Sequence, residues 1–140
     1  MPQPRHCTVV ARWGRNGWRG VLLCGPSGAG KSDLALRLID ADWRLVADDY
    51  AHVWASNGDV YAAPPETIAG RIEARGFDIV PAAWRPSVRI TLVVDCVQTP
   101  TERLPEPQWE TVAGVRLPQL ILDIRPASAA VTLGLAIDRL

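Results

Sequence analysis

The chain has 140 residues, 48% hydrophobic and 21% charged, with 15 Lys plus Arg balanced by 15 Asp plus Glu for a formal net charge of zero. That length makes one domain with enough apolar material for its own core, and the balanced charge argues against a general nucleic-acid or membrane-surface binder. No apolar run reaches a membrane span, and Met1 to His6 lacks the apolar core of a signal peptide, so a cytoplasmic protein is expected.

In chain order, Cys7 to Trp13 alternates as a strand, and Gly14-Arg15-Asn16-Gly17 is a hairpin turn carrying the Asn-Gly signal. Trp18 to Cys24 is the return strand. It runs into Gly25-Pro26-Ser27-Gly28-Ala29-Gly30-Lys31-Ser32, which fits G-x-x-x-x-G-K-[ST] at every required position. A helix follows from Lys31 to about Ala41, with Leu34, Ala35 and Leu38 on one face and Leu36 and Ile39 widening it. Strand, glycine-rich turn and helix are the arrangement this motif needs. The loop N–H groups form an anion nest and the helix start adds its positive dipole end. Gly25 to Ser32, with Asp33 directly after, is thus the candidate nucleotide-phosphate site. Lys31 is expected on the β- and γ-phosphates and the Ser32 hydroxyl on Mg²⁺.

Trp43 to Ala47 is a strand ending in Asp48-Asp49. Joined to the earlier strand through a helix, it should run parallel to it in one sheet and bring the two acids to the edge that holds the phosphate loop. Alone, an Asp pair at a strand end also fits a solvated turn. Beside a phosphate loop it fits a metal-facing acid and a base that takes a proton. Tyr50 to Trp54, the turn Ser56-Asn57-Gly58-Asp59 and Val60 to Ala63 make a second hairpin. Pro64-Pro65 breaks the pattern, and Glu66 to Ile72 reads as a helical turn or irregular chain. Glu73 and Arg75 are two apart, so on extended chain they share a face. They suit a metal ligand and a charge neutraliser, or equally a surface ion pair. Ile79-Val80 is a strand remnant, Ala82 to Pro86 a loop, and Val88 to Asp95 the clearest buried strand.

Gln98 to Pro107 is a proline-rich loop carrying Glu102-Arg103-Leu104. A small hairpin over Ala113-Gly114 follows, then a last strand from Leu120 to Ile124. Ala127 to Leu140 is a helix, with Val131, Leu135 and Ile137 as its apolar residues. The cysteines Cys7, Cys24 and Cys96 are far apart, odd in number and without C-x-x-C spacing, which suggests buried thiols. The six tryptophans are expected as core or interface anchors, and Trp18 and Trp43 flank the strands nearest the nucleotide. The fold class is α/β: a P-loop domain with a mixed sheet and few helices, spanning residues 1–140.

Taken together, these segments resemble the catalytic C-terminal domain of bacterial HPr kinase/phosphorylase. The segments are Gly25 to Asp33, Leu36 to Leu38, Arg44-Leu45-Val46-Ala47-Asp48-Asp49, the E-x-R-G stretch Glu73-Ala74-Arg75-Gly76, and Glu102-Arg103-Leu104. The resemblance implies an ATP-dependent protein serine kinase acting on HPr or an HPr-like phosphocarrier of the phosphotransferase system, in a family that also runs the reverse phosphorolysis. It implies ATP on Lys31 and the loop, and Mg²⁺ on Ser32 and Glu73, with Asp48 also a candidate ligand. Asp49, or its neighbour Asp48, would be the base, and Arg75 and Arg103 would steady the phosphoryl group. His6 matches the family's histidine ahead of the loop.

Three departures stand out. The family's N-terminal domain has no counterpart here, as in truncated forms resembling those of alphaproteobacteria. Asp33 stands where a glutamate usually follows the loop serine, and Arg125-Pro126-Ala127-Ser128 stands where the family has P-G-R-N. The last lies in the region linked to phosphorolysis and substrate contact. The resemblance therefore leaves open for this chain both phosphorolysis of the phosphoserine carrier and the family's hexamer, as well as any other homo-oligomer. A nucleotide-sensing module without transfer activity, such as a partner of a two-component histidine kinase, is the alternative.

Overall fold

The computed structural model describes residues 3–140. Its frame is one large mixed sheet built from β1 (Arg5–His6), β2 (Thr8–Gly14), β3 (Gly17–Cys24), β4 (Arg44–Ala47), β5 (Tyr50–Ser56), β6 (Asp59–Ala63), β9 (Val88–Val97), β10 (Gln108–Val112) and β11 (Val115–Asp123). A separate hairpin is formed by β7 (Arg71–Ala74) and β8 (Asp78–Pro81). The helices are α1 (Lys31–Asp40) and α2 (Ala129–Asp138), with one 3₁₀ turn at Glu66–Ile68.

The strand order β1-β5-β6-β9-β3-β2-β4 places the site. β2 is antiparallel to both β3 and β4. The expectation that β3 and β4 run parallel in one sheet therefore holds in direction, but β2 lies between them. Both strands end, and β2 begins, at one edge of the sheet. The residues after β3, those after β4 and those before β2 consequently meet there. β9 branches the sheet: its first half pairs with β6, its second half with β11, and β3 runs along its other edge. Gly20 sits where the β3–β9 register shifts. A Cβ at that position would lie 2.4 Å from Val88 Cγ1 and 3.0 Å from the Arg89 carbonyl, so only glycine allows this approach.

The sheet separates two apolar clusters. Val10, Val21, Leu23, Leu92 and Val94 pack with Leu34, Ala35 and Leu38 of α1 and with Ala129, Leu133 and Ile137 of α2. The opposite face gathers Cys7, Val9, Leu22, Ala51, Val60, Ile90 and Val93. A ten-residue helix is marginal in isolation, so α1 holds its shape through this packing.

Several expectations need correction. The strand placed at Leu120–Ile124 is the second half of β11, which runs unbroken from Val115 through Pro118. The ladder with β9 begins only at Gln119, so the N–H that Pro118 lacks is not missed there. α2 starts at Ala129, and its buried face is Ala129, Leu133 and Ile137, whereas Val131 and Leu135 are exposed. Of the tryptophans only Trp43 is buried; Trp13, Trp54, Trp84 and Trp109 are exposed, and Trp18 is half-buried under the Arg85 guanidinium. Cys7 and Cys96 are buried, but Cys24 is only partly so. No helix among the described residues is long and apolar enough to cross a membrane.

Candidate active site

The loop between β3 and α1 enters the helix through Gly30, at φ 96°, with its carbonyl accepting the Leu34 N–H at 3.0 Å. A Cβ at Gly30 would press on Ile124 Cδ1 at 2.9 Å, so this position must be glycine on both counts. Lys31 opens the helix on its buried side. Its Nζ donates to the Gly25 carbonyl at 2.6 Å and lies 3.5 Å from His6 Nε2. Lys31 is 5% exposed, and among the described residues no carboxylate pairs with its ammonium. His6 Nε2 already donates to Asp49, so the Gly25 carbonyl is the acceptor of this buried cation, and such a site favours an incoming anion.

Asp48 and Asp49 leave β4 at the same edge, and the backbone separates them. Asp48 is 9% exposed and fully held. Its Oδ1 accepts the Ser32 hydroxyl at 2.6 Å and the Thr8 hydroxyl at 3.4 Å, and its Oδ2 accepts the Glu73 N–H at 3.0 Å. Asp49 has φ 70° and is the centre of a γ-turn closed by Tyr50 N–H to the Asp48 carbonyl at 2.8 Å. This left-handed backbone is strained for a non-glycine residue. It turns the Asp49 side chain out of the strand pattern, where Oδ1 meets His6 Nε2 at 2.7 Å and the carboxylate stays half open to solvent. The Asp49 N–H donates to the Thr8 hydroxyl at 3.1 Å, so Thr8 bridges both acids. His6 is fixed by β1, which pairs with β5 in the register His6–Tyr50, and its ring packs on Tyr50 at 5.2 Å.

Of these groups Lys31, Ser32, Asp48, Asp49 and Glu73 line one cavity of about 340 Å³, whereas His6 and Thr8 touch the two acids from outside its lining. Its walls are Ser27, Gly28, Gly30, Lys31, Ser32, Asp33 and Leu36 on one side and Asp48, Asp49, Glu73, Ala74 and Arg75 on the other. Glu73 and Arg75 thus face the loop and the acids, and among the described residues neither forms an ion pair, which removes the surface-pair reading of their spacing. Asp33 lines the cavity and pairs with Arg37 one turn on, at 3.1 Å. Arg103 is not brought in: it lies on the exposed stretch between β9 and β11 and does not line the cavity. Trp18 and Trp43 do not line it either, because one stacks under arginine and the other is buried in the core. Arg125, where the family has P-G-R-N, is held by the Asp123 carboxylate through two contacts at 3.0 Å. The pair lowers the Asp123 pKa and raises that of Arg125.

No motif marks Thr8. The available signal was its spacing of two from His6, which puts both on one face of extended chain. Burial pushes the thiols of Cys7 and Cys96 up to about 12 and raises Cys24, the residue before the loop, so no thiolate competes as nucleophile at neutral pH.

The donor set suits a small hard cation. Ser32 and Asp48 present oxygen ligands that already converge, and the Glu73 carboxylate lines the same cavity. No group of three or more His, Cys, Asp and Glu side chains among the described residues forms a ready-made metal cage.

A family profile described as the HPr Serine kinase C-terminal domain matches residues 16–136. The chain is 34% identical to an HPr kinase/phosphorylase from Geobacillus thermodenitrificans, over 76% of this chain and 39% of that protein. It is 33% identical to one from Caldicellulosiruptor bescii, over 87% of this chain and 42% of that protein. The chain therefore spans about two fifths of the length of these curated relatives. A solved structure of the Hpr(Ser) kinase/phosphatase from Coxiella burnetii superposes with a TM-score of 0.79 at 22% identity, covering 98% of this chain and 99% of that one.

Proposed function

The chain belongs to the HPr serine kinase C-terminal domain family, and from that we propose that it is a Mg·ATP-dependent kinase that phosphorylates a serine of HPr or an HPr-like phosphocarrier. The observation that carries the proposal is the shared cavity. The phosphate loop, the two acids, and Glu73 with Arg75 open onto one space, joined by the 2.6 Å Ser32–Asp48 hydrogen bond.

In this reading the loop amides and Lys31 bind the triphosphate, with the ammonium moving from the Gly25 carbonyl to the phosphates. Ser32, Asp48 and Glu73 hold Mg²⁺, which when bound neutralises charge on the β- and γ-phosphates. Asp49 takes the proton of the seryl hydroxyl. A bond forms between that oxygen and the γ-phosphorus, the bond from γ-phosphorus to the bridging oxygen breaks, and ADP leaves. His6 orients Asp49 through the 2.7 Å contact. Arg75 neutralises the phosphoryl oxygens from the opposite wall.

The test is incubation of the protein with γ-labelled ATP, Mg²⁺ and an HPr-like carrier. The expected result is label on a carrier serine. Normal nucleotide binding with no label on the carrier would overturn the assignment.

A further inference from the structure

The β7–β8 hairpin presents an apolar tip beside the cavity that the phosphoryl chemistry does not use. Phe77, the only phenylalanine of the chain, is 84% exposed, and Ile79 is 62% exposed. The hairpin beneath them is anchored: Ile72 is buried in the core, and Val80 packs against the same cluster. The tip is fixed by its backbone. Phe77 N–H donates to the Ala74 carbonyl at 2.9 Å, Gly76 turns the chain at φ 87°, and Ile79 N–H donates to Asp78 Oδ1 at 2.8 Å. Phe77 and Ile79 are therefore displayed on a fixed turn.

This turn is continuous with the site. Glu73, Ala74 and Arg75 form one wall of the phosphate cavity, and the same three residues continue through Phe77 to Ile79 as the lining of a second, shallow recess of about 370 Å³. The recess is too open to enclose a small molecule, so it suits a partner that brings its own surface. Exposed apolar groups clustered at the mouth of a polar site mark such contacts.

We propose that Phe77 and Ile79 form a docking surface for the protein substrate, receiving an apolar side chain that lies beside the acceptor serine on a folded partner. The proposal rests on the kinase reading above. It adds that recognition of the protein is separable from binding of the nucleotide, because it uses two side chains of the hairpin, Phe77 and Ile79, that do not line the phosphate cavity.

The experiment compares the wild-type chain with Phe77→Ala, Ile79→Ser and Phe77→Leu, using ATP, Mg²⁺ and the HPr-like carrier that the wild type labels. Phe77→Ala should raise KM for the carrier about tenfold, and the double variant Phe77→Ala/Ile79→Ser more, with kcat changed less than about twofold. Phe77→Leu should recover most of the loss. Nucleotide-induced thermal stabilisation should be the same in all variants, which shows that they are folded and that the phosphate site is intact. An unchanged carrier KM in the double variant overturns the docking proposal and leaves the kinase reading standing. Failure of the wild type to label any carrier, with nucleotide bound, overturns both. A sedimentation shift to a smaller species in Phe77→Ala with KM unmoved assigns the surface to a second copy of the chain and overturns the proposal.

Discussion

Asp48 is the joint of the site, and replacing it separates its structural role from its chemical one. Its two oxygens receive the Ser32 hydroxyl at 2.6 Å, the Thr8 hydroxyl at 3.4 Å and the Glu73 N–H at 3.0 Å, at 9% exposure. Asp48→Asn keeps the shape. Its amide oxygen can take the Glu73 N–H, and its NH₂ can donate to the two hydroxyl oxygens, which turn to accept. The stability change should then stay within about 1 kcal/mol. Asp48→Ala leaves the Glu73 N–H unpaired, at about 1–3 kcal/mol, and frees both hydroxyls, for a total of about 2–4 kcal/mol. At about 3–5 °C per kcal/mol for a domain of this size, Tm should fall by about 6–20 °C in the alanine variant and by only a few degrees in the asparagine variant. Both lose the carboxylate charge, so both should lose the Mg²⁺-dependent part of nucleotide stabilisation and about 10²-fold or more in turnover. Thermal melts with ATP, with and without Mg²⁺, read the stability and the metal dependence, and carrier labelling with γ-labelled ATP reads the turnover. An asparagine variant that melts as low as the alanine variant would refute the hydrogen-bond accounting. One that keeps wild-type Mg²⁺ dependence would remove Asp48 from the metal.

Lys31→Met keeps the stem in its buried slot and removes an ammonium that no carboxylate compensates, so Tm should not fall. Nucleotide affinity by titration should drop about 10²-fold. Asp49→Asn retains the side chain best suited to φ 70°, so unfolding should be near wild type while single-turnover phosphoryl transfer falls about 10²–10⁴-fold. The buried thiols make the fold sensitive to alkali. The folded-state pKa values of Cys7 and Cys96 are raised from 9.0 to about 12, so their contribution is fully present below pH 9 and is lost as pH rises toward 12, by about 1.4 kcal/mol per pH unit per thiol. Urea unfolding followed from about pH 8 to about pH 10.5 should show a shallower decline in Cys96→Ala.

Much of this fold is visible in local patterns. The Asn-Gly turns close the β2–β3 and β5–β6 hairpins where they were expected, and the loop lies between a buried strand and an amphipathic helix. What stayed hidden is long-range. No local signal says that β2 inserts between β3 and β4, or that β9 serves β6 with one half and β11 with the other. Pro118 reads as a break because proline lacks the ladder N–H, yet it falls just before the β9 ladder starts. α2 is apolar nearly all round, so composition gives a helix without saying which stripe is buried. The core takes Ala129, Leu133 and Ile137, four apart, and leaves Val131 and Leu135 to solvent.

The site was legible where it follows from strand direction and opaque where it follows from a single dihedral angle. Two parallel strands ending at one edge bring Ser32 and Asp48 together whatever lies between them. A resemblance in the exposed loop could not bring Arg103 to the cavity. Asp48 and Asp49 are chemically identical neighbours, and the sequence leaves their roles interchangeable. The left-handed turn at Asp49 gives them different surroundings: it leaves Asp48 locked by three donors and swings Asp49 out toward His6 with a carboxylate half open to solvent. A metal-facing acid benefits from being immobile and a proton-accepting acid from being reachable. In the proposed kinase reading, the strain at Asp49 is thus the feature that would give two adjacent aspartates different work, and residues that cannot adopt that φ should fail there even when they carry a carboxylate.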